Sequence, residues 1–213
     1  MTFTDIHSHT LQKAEDSIYN CTTGYIAGRN ISIGIHPWNI TEEWRSEFQA
    51  IAAVADAENV FAIGECGLDT IKSPAPLATQ EEILLAHATL AEELKKPLII
   101  HCVKAYDRLI ALHKELKPQQ AWIIHGFRGK PALAAQLIKA GFHISLGEKF
   151  NAESAKSIPI EKLFIESDES RLPIADIYAA VAAAKGVTVE ELAKQITENT
   201  RIFKQFRCNN TVY

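Results

Sequence analysis

The sequence has no long hydrophobic run and no secretory signal at its start. No segment approaches the roughly 18 consecutive apolar residues of a membrane-spanning helix. The first residues, Met1-Thr2-Phe3-Thr4, contain no basic region followed by an apolar stretch, which a signal peptide would have. We therefore expect a cytoplasmic protein that does not bind membranes.

Cysteine is scarce and lacks the spacing of a metal-binding or disulfide framework. The four cysteines lie at positions 21, 66, 102 and 208, with no CxxC pair, so we expect reduced thiols. Cys66 and Cys102 each adjoin a candidate metal ligand. Adjacent strand residues point to opposite faces, so both thiols are expected to pack against outer helices.

Positive charge is not in excess. The chain has 22 basic and 26 acidic residues and a net charge of −4, whereas extended nucleic-acid surfaces are normally basic. No extended DNA-binding surface is expected, but a local phosphate pocket beside a metal ion is compatible with this charge. The 213 residues, 47% of them hydrophobic, predict one globular domain over residues 1–213. We expect a monomer or a weak dimer.

Short apolar runs, each followed by a polar residue that can bind a metal, recur along the chain. The runs are residues 31–35 before His36, 60–64 before Glu65, 97–100 before His101, 122–124 before His125, and 163–167 before Asp168. Such runs are typical of strands buried on both faces, which occur mainly in parallel sheets covered by helices.

Segments with helical periodicity lie between these runs. The expected helices are 41–57, 80–95, one from Tyr106, one from Pro131 to a cap at Gly141, 174–185 with a cap at Gly186, and one from a Thr188/Glu191 capping box to about Phe206. Strand and helix alternate, which predicts a TIM (β/α)8-like barrel. The C-terminal ends of its strands would meet at one rim.

The N-terminal part is too short for a complete version of this pattern. About twenty residues separate His9 from Ile31, and a strand-helix-strand crossover needs at least a dozen residues besides its strands. Residues 17–22 can supply a short strand. The prediction is therefore an eight-stranded α/β barrel, shortened near the N-terminus, with one outer helix missing.

The residue types at the rim suit metal-assisted hydrolysis. His7 and His9 have one residue between them, so both imidazoles lie on one face of a strand and can bind one divalent ion. A carboxylate from another strand can bridge that ion to a second one. Such a site lowers the pKa of a bound water, whose proton an aspartate can accept. Phosphate esters and polarised carbonyls are both suitable substrates.

Six motifs occur in order along the chain. They are Asp5-Ile6-His7-Ser8-His9, Gly34-Ile35-His36-Pro37, Gly64-Glu65-Cys66-Gly67-Leu68-Asp69, Ile99-Ile100-His101, His125-Gly126-Phe127-Arg128-Gly129 and Glu166-Ser167-Asp168. Together they resemble the TatD-type metal-dependent hydrolases, which are TIM-barrel enzymes of the amidohydrolase type. Several members act as deoxyribonucleases. The resemblance extends from residue 5 to about residue 206.

This resemblance implies a ligand set for two divalent ions. One ion would be held by His7, His9, Glu65 and Asp168, and the other by Glu65, His101 and His125, with Glu65 as the bridge. Asp168 would also orient or deprotonate the nucleophilic water, so Asp168 and Glu65 are the expected catalytic residues. His36 is expected at the rim near the substrate, not as a ligand. His87, His113 and His143 are expected to be structural. The metal stays open among zinc, manganese, nickel, iron and magnesium.

Three departures from the family pattern concern the substrate. The family's His-x-Arg is His101-Cys102-Val103-Lys104 here, and Lys104 is a candidate replacement for the arginine. Arg128 stands where a serine is common, and Glu169-Ser170 replaces a small residue and a proline. His36, Lys104 and Arg128 are therefore the candidate substrate contacts.

The leading hypothesis is a phosphoester hydrolase, of the type of a 3'-5' exonuclease acting on DNA ends or oligonucleotides. One alternative is amide or lactone hydrolysis of a small molecule, since the same ligands serve both reactions. The other is a catalytically silent metal-binding barrel.

Overall fold

A computed structural model describes residues 2–10, 17–22 and 25–203 and contains eight parallel strands. They are β1 (Asp5–Ser8), β2 (Ser17–Cys21), β3 (Ile31–Ile33), β4 (Val60–Asp69), β5 (Leu98–Val103), β6 (Trp122–Ile124), β7 (His143–Leu146) and β8 (Leu163–Ile165). Each strand pairs with the next one in chain order. The helices are α1 (Trp44–Val54), α2 (Leu77–Leu94), α3 (Tyr106–Leu116), α4 (Pro131–Ala140), α5 (Ala152–Ser157), α6 (Ile174–Lys185) and α7 (Val189–Asn199). The fold is the expected TIM-like barrel.

The barrel closes where the end of β8 meets β1. The backbone N–H of Asp168 donates to the carbonyl of His7 at 2.9 Å, and that of His9 donates to the carbonyl of Asp168 at 3.1 Å. Asp168 adopts a left-handed backbone with φ of 51°, which aspartate tolerates better than most residues do. Closure therefore brings Asp168 beside the histidine pair of β1.

The barrel interior is filled by apolar side chains from six strands. These are Ile6, Ile18, Ala62, Ile99, Ile123 and Phe164, with Phe203 from the end of the chain packed against them. A larger apolar cluster lies between the strands and the helices. The interior is a packed core, so a ligand can reach only the polar side chains at its rim.

Several helix ends agree with the expected signals. Pro131 is the first residue of α4, and Gly141 ends it with φ of 105°. Gly186 ends α6 in the same left-handed region, and α7 starts with the Thr188/Glu191 capping box. Strand β2 lies where a short strand was predicted.

The last helix is shorter than expected, so its predicted end near Phe206 is wrong. Helix α7 ends at Asn199, and a 3-10 turn covers Thr200–Ile202. The Asn199 side chain donates to the carbonyls of Ile160 at 2.7 Å and Leu163 at 2.8 Å. These bonds hold the helix end against the barrel, and Phe203 turns into the interior.

Other elements differ in extent or were not foreseen. Strand β4 continues to Asp69, well beyond the apolar run, whereas β3 ends at Ile33. Strand β7 and helix α5 have only four and six residues, too few for a clear periodicity. The missing helix was predicted for the stretch between His9 and Ile31. Its described parts, 17–22 and 25–30, contain strand β2 and no helix, whereas 11–16 and 23–24 lie outside the described residues. No helix in the described part of the chain is long and apolar enough to cross a membrane.

Candidate metal centre

Glu65 lies on β4 where this strand runs unusually close to its neighbour. A side chain at Gly64 would overlap the carbonyl oxygen of Ile99, and one at Gly67 would overlap that of His101. Both glycines also have positive φ, a region that side chains disfavour. Glycine at these positions lets β4 approach β5 closely. The Glu65 carboxylate, which is 2% exposed, thereby lies next to His101 on β5.

The two oxygens of Glu65 face two different histidine pairs. Oε2 lies 3.3 Å from Nε2 of His7 and 3.5 Å from Nε2 of His9. Oε1 lies 3.1 Å from Nδ1 of His101 and 2.6 Å from Nε2 of His125. Each oxygen of this carboxylate therefore has its own histidine pair, and all of these groups are of the kind that bind divalent cations.

Asp168 joins the first of these pairs on the open side of the centre. Its Oδ1 lies 3.5 Å from Nε2 of His9. The side chains of Asp168 and His9 are 23% and 31% exposed, whereas that of His7 is fully buried. Solvent or a substrate therefore reaches the centre from the side of Asp168 and His9.

The spacing of these donors fits a divalent ion. A tetrahedral ion with bonds of about 2.0 Å separates its ligands by about 3.3 Å, and His9 Nε2 is 3.5 Å from both Glu65 Oε2 and Asp168 Oδ1. Both ring nitrogens of His7 are buried and have no hydrogen-bond partner within the described residues. Buried polar atoms normally have a partner, and a bound cation would give His7 one. The residues present thus suit the group that the motifs imply.

Opposite charges attract strongly at this centre. Burial raises the pKa of Glu65, but the charge of His125 and the close imidazoles of His101, His125 and His36 outweigh burial and hold it well below its usual value. Burial lowers the pKa of His125, but the nearby carboxylates Glu65 and Glu166 raise it well above its usual value. The centre therefore favours positive charge, as protons or as metal ions.

His36 lies inside this cluster and 3.0 Å from Oε1 of Glu65. Groups of three residues whose donor atoms lie within 4.8 Å of one another are His7/His125/Asp168, His7/His9/Glu65 and His36/Glu65/His101. However, the backbone N–H of Trp38 donates to Nδ1 of His36 at 3.1 Å. A neutral imidazole has one acceptor and one donor nitrogen, so Nε2 carries the hydrogen. In this tautomer His36 donates to Glu65, although its ring also belongs to one of the groups that could hold a metal ion.

Two supporting residues were not singled out from the sequence. Asn20 on β2 donates to Glu65 Oε2 at 2.9 Å and accepts from the Glu65 backbone N–H at 3.1 Å. Glu166, fully buried, accepts from the Gly126 backbone at 2.6 Å and lies 3.5 Å from Nδ1 of His125. The sequence signal that could have indicated Asn20 is a polar residue inside a buried strand.

The candidate substrate contacts Arg128 and Lys104 lie in different cavities. Arg128 and Asp168 both line a cavity of about 160 Å³, together with Lys149, Glu148 and Glu169. Lys104 lines a separate cavity of about 420 Å³. The structure thus places Arg128, but not Lys104, in the same cavity as a proposed ligand.

The buried cysteines and the remaining histidines have structural roles, as expected. Cys66 and Cys102 lie in the apolar layer between strands and helices, and burial raises the pKa of both thiols, that of Cys102 to about 12. His87 accepts from the Ile35 backbone at 3.0 Å, and its other nitrogen lies 2.8 Å from the carbonyl of Ile83. His113 and His143 pack against aromatic rings.

An eight-stranded parallel barrel with a histidine and carboxylate centre at its rim defines the class of metal-dependent hydrolases. The family model described as TatD related DNase matches residues 6–204 of this chain. The chain belongs to the TatD family and is a metal-dependent hydrolase.

Two curated relatives and one solved structure illustrate this membership. The chain is 31% identical over 194 residues to YcfH of Escherichia coli, an uncharacterized metal-dependent hydrolase, with 81% of this chain and 72% of YcfH covered. It is 30% identical over 196 residues to the 3'-5' ssDNA/RNA exonuclease TatD of Erwinia amylovora, with 79% and 75% covered. The crystal structure of YjjV, a TatD homologue from Escherichia coli, superposes with a TM-score of 0.76 at 19% identity, covering 88% of this chain and 85% of YjjV. This last similarity concerns the fold.

Proposed function

We propose that this hydrolase uses two divalent ions to cleave phosphoester bonds, removing nucleotides from the 3' end of single-stranded oligonucleotides. One observation carries the proposal: each oxygen of Glu65 faces its own histidine pair, His7/His9 or His101/His125. Two bound ions would supply an activated water and neutralise the charge of the attacked phosphate.

The chain's own residues have distinct roles in this proposal. Asp168 is the partly exposed carboxylate at the open side of the centre, where it can orient a water and accept its proton. His36 presents its Nε2–H to Oε1 of Glu65 at 3.0 Å, so it would donate to an oxygen of the substrate only where that oxygen replaces Glu65 as the acceptor. Arg128, in the same cavity as Asp168, can form a charge-assisted hydrogen bond with a phosphate.

Three observations favour a short oligonucleotide over a long duplex. The net charge of −4 gives no overall electrostatic attraction to a long polyanion such as a duplex. The cavity beside Asp168 is lined by Arg128 and Lys149 but also by the four carboxylates of Glu148, Glu166, Asp168 and Glu169, so its side chains offer no excess positive charge for a run of phosphates. The relative from Erwinia amylovora is named as an exonuclease on single-stranded DNA and RNA.

A second candidate is the hydrolysis of an amide or a lactone of a small molecule. The observation that favours it is the pair Glu148 and Glu169 in the cavity beside Asp168. These carboxylates would repel a polyanion but not a neutral substrate. A polarised carbonyl can be attacked at the same metal centre.

The deciding experiment is a substrate panel with defined metals. The protein is treated with chelator, reloaded with zinc, manganese, nickel or magnesium, and given single-stranded oligonucleotides labelled at the 5' end. We expect a ladder of products that shorten from the 3' end. Hydrolysis of a lactone or cyclic amide, with intact oligonucleotides, would favour the second candidate.

Variants make this test specific to the proposed centre. Asp168→Asn should abolish the ladder, because the amide cannot accept a proton from water. Asp176→Asn is the matched control, since Asp176 is an exposed aspartate in the first turn of α6 and lines neither cavity described above. A contaminating nuclease would leave both variants equally active, and the proposal would then be rejected.

A further inference from the structure

Asp69, at the end of β4, has four hydrogen-bond donors around its carboxylate although it is only 1% exposed. Oδ2 accepts from Trp38 Nε1 at 2.6 Å and lies 3.0 Å from Nε2 of His101. Oδ1 accepts from the backbone N–H groups of Ile71 at 2.8 Å and Lys72 at 2.9 Å. Each oxygen therefore contacts two donors, as an ionised carboxylate does.

The position of Asp69 is also fixed independently of His101. The Gln80 side chain accepts from the Asp69 backbone N–H at 2.7 Å and donates to its carbonyl at 3.2 Å. The same amide donates to the carbonyl of Ala75 at 2.8 Å. The loop between β4 and α2 thus holds the carboxylate in place, and His101 is oriented by a fixed partner.

The hydrogen bond to Asp69 decides which nitrogen of His101 is free. A carboxylate surrounded by donors can only accept, so Nε2 of His101 carries its hydrogen. In a neutral imidazole the other nitrogen then has the lone pair. This Nδ1 lies 3.1 Å from Oε1 of Glu65 and 3.4 Å from Nε2 of His125, which is the spacing that a shared cation requires.

We propose that Asp69 is a positioning residue that fixes the tautomer of His101, so that Nδ1 is its metal-binding atom. This inference rests on the proposed two-metal centre. Removing a carboxylate that accepts a hydrogen bond from a metal-binding histidine typically lowers metal affinity by about 10–100-fold. Glu166 stands behind His125 in the same way, but at a longer distance of 3.5 Å. The His101 contact is therefore the tighter of the two.

Trp38, which donates to Asp69 Oδ2, provides a fluorescence signal close to His101. Its ring is 40% exposed, while the other two tryptophans, Trp44 and Trp122, are buried. The ring stands edge-on to His101 with the centroids 5.5 Å apart. The red-shifted part of the tryptophan emission should therefore come from Trp38 and respond when Asp69 is changed.

The variant Asp69→Asn tests the proposal. The amide oxygen can keep the two backbone donors, so the NH2 group must face Trp38 and His101. His101 can then relieve the donor-donor clash only by accepting at Nε2, which moves its hydrogen to Nδ1, the proposed ligand atom. We expect one of two zinc affinities, measured by competition with a chromophoric chelator, to fall by about 10–100-fold. The other should change little, because the variant does not touch His7 or His9.

Two control variants separate this effect from a general loss of structure. Trp38→Phe removes one donor to Asp69 but leaves the bond to His101, so both zinc affinities should stay near those of the wild type. Asp56→Asn changes an exposed aspartate and should have no effect. Circular dichroism of each variant reports whether the barrel is folded.

Each outcome gives a decision. If the wild type binds none of zinc, manganese, nickel and magnesium, the proposed function itself fails. If the wild type binds two ions and Asp69→Asn binds both equally well, the role of Asp69 is wrong. If Asp69→Asn does not fold, ¹⁵N-edited NMR of the histidine rings in the zinc-loaded wild type can measure the tautomer of His101 directly. A hydrogen on Nε2 of His101, with Nδ1 bound to zinc, supports the proposal, and the opposite tautomer overturns it.

Discussion

Replacing the bridging carboxylate, Glu65→Gln, should remove one metal ion and leave the other. Glutamine has the same shape, but one of its two terminal atoms is an NH2 group that cannot bind a cation. Two donors face this carboxylate: the NH2 of Asn20 donates to Oε2 at 2.9 Å, and Nε2 of His36 lies 3.0 Å from Oε1. Asn20 should decide the orientation, because turning its amide would break its bonds from the Glu65 backbone N–H and Ser32 Oγ, whereas His36 can change tautomer at the cost of only its bond from Trp38. The glutamine oxygen should therefore face Asn20, His7 and His9, and its NH2 group should face His101 and His125.

The size of the effect at each side depends on which terminal atom of the glutamine faces the ion. At the His101/His125 side the variant replaces the anionic donor atom itself, so affinity there should fall by more than the roughly 100-fold that the loss of an outer hydrogen bond can cause. At the His7/His9 side the oxygen remains and only its negative charge is lost. Affinity there should fall less than at the other side.

Calorimetric titration with zinc measures both sites in one experiment. The wild type should bind two ions, and Glu65→Gln should bind one ion tightly. Glu190→Gln, a change at an exposed position, is the matched control and should bind two. Two unchanged affinities in Glu65→Gln would refute the view that Glu65 is shared between two ions.

Three further predictions concern catalysis, the substrate and pH. Asp168→Asn should lower kcat by about 10²–10⁴-fold in the nuclease assay, and unchanged turnover would exclude Asp168 as the proton acceptor. Arg128→Gln should raise KM for a phosphodiester by about 10-fold or more, the equivalent of a charged hydrogen bond, and an equal KM would place the phosphate elsewhere. His87 is fully buried, and burial lowers its pKa from 6.5 to about 4, so below pH 6.5 the unfolded chain binds a proton that the folded chain does not. Its contribution of about 3 kcal/mol is present above pH 6.5 and is lost as the pH falls toward 4. Urea unfolding at several pH values should show a shallower loss for His87→Gln than for the wild type, and parallel curves would contradict this assignment.

The fold and the clustering of the proposed ligands were predictable because their signals are local. Each proposed ligand after β1 directly follows its own apolar run, and parallel strands in a barrel end at one rim. Knowing the run before Glu65 and the run before His101 is enough to expect both side chains at that rim. The distances between their atoms could not be predicted, because they depend on glycines such as Gly64 and Gly67 that let β4 and β5 approach.

The supporting residues were harder to predict because their roles exist only across strands. Asn20 contacts Glu65 from 45 positions away, and Asp69 contacts His101 from 32 positions away. Neither side chain is a ligand, so no ligand spacing points to it. Asp69 was visible in a family motif, but its function becomes clear only when the donors around its carboxylate are known.

The departure from the family pattern at Lys104 also has a different meaning in three dimensions. In the sequence, Lys104 is the nearest cation to the position of the family's arginine and looks like its replacement. In the structure it lines a cavity with Thr70 and Tyr106, whereas Arg128 lines the cavity of Asp168. Because Arg128 shares the cavity of Asp168 and Lys104 does not, the positive charge that contacts the substrate should come from the loop after β6. Specificity would then depend on this loop, and Lys104→Gln should change KM much less than Arg128→Gln.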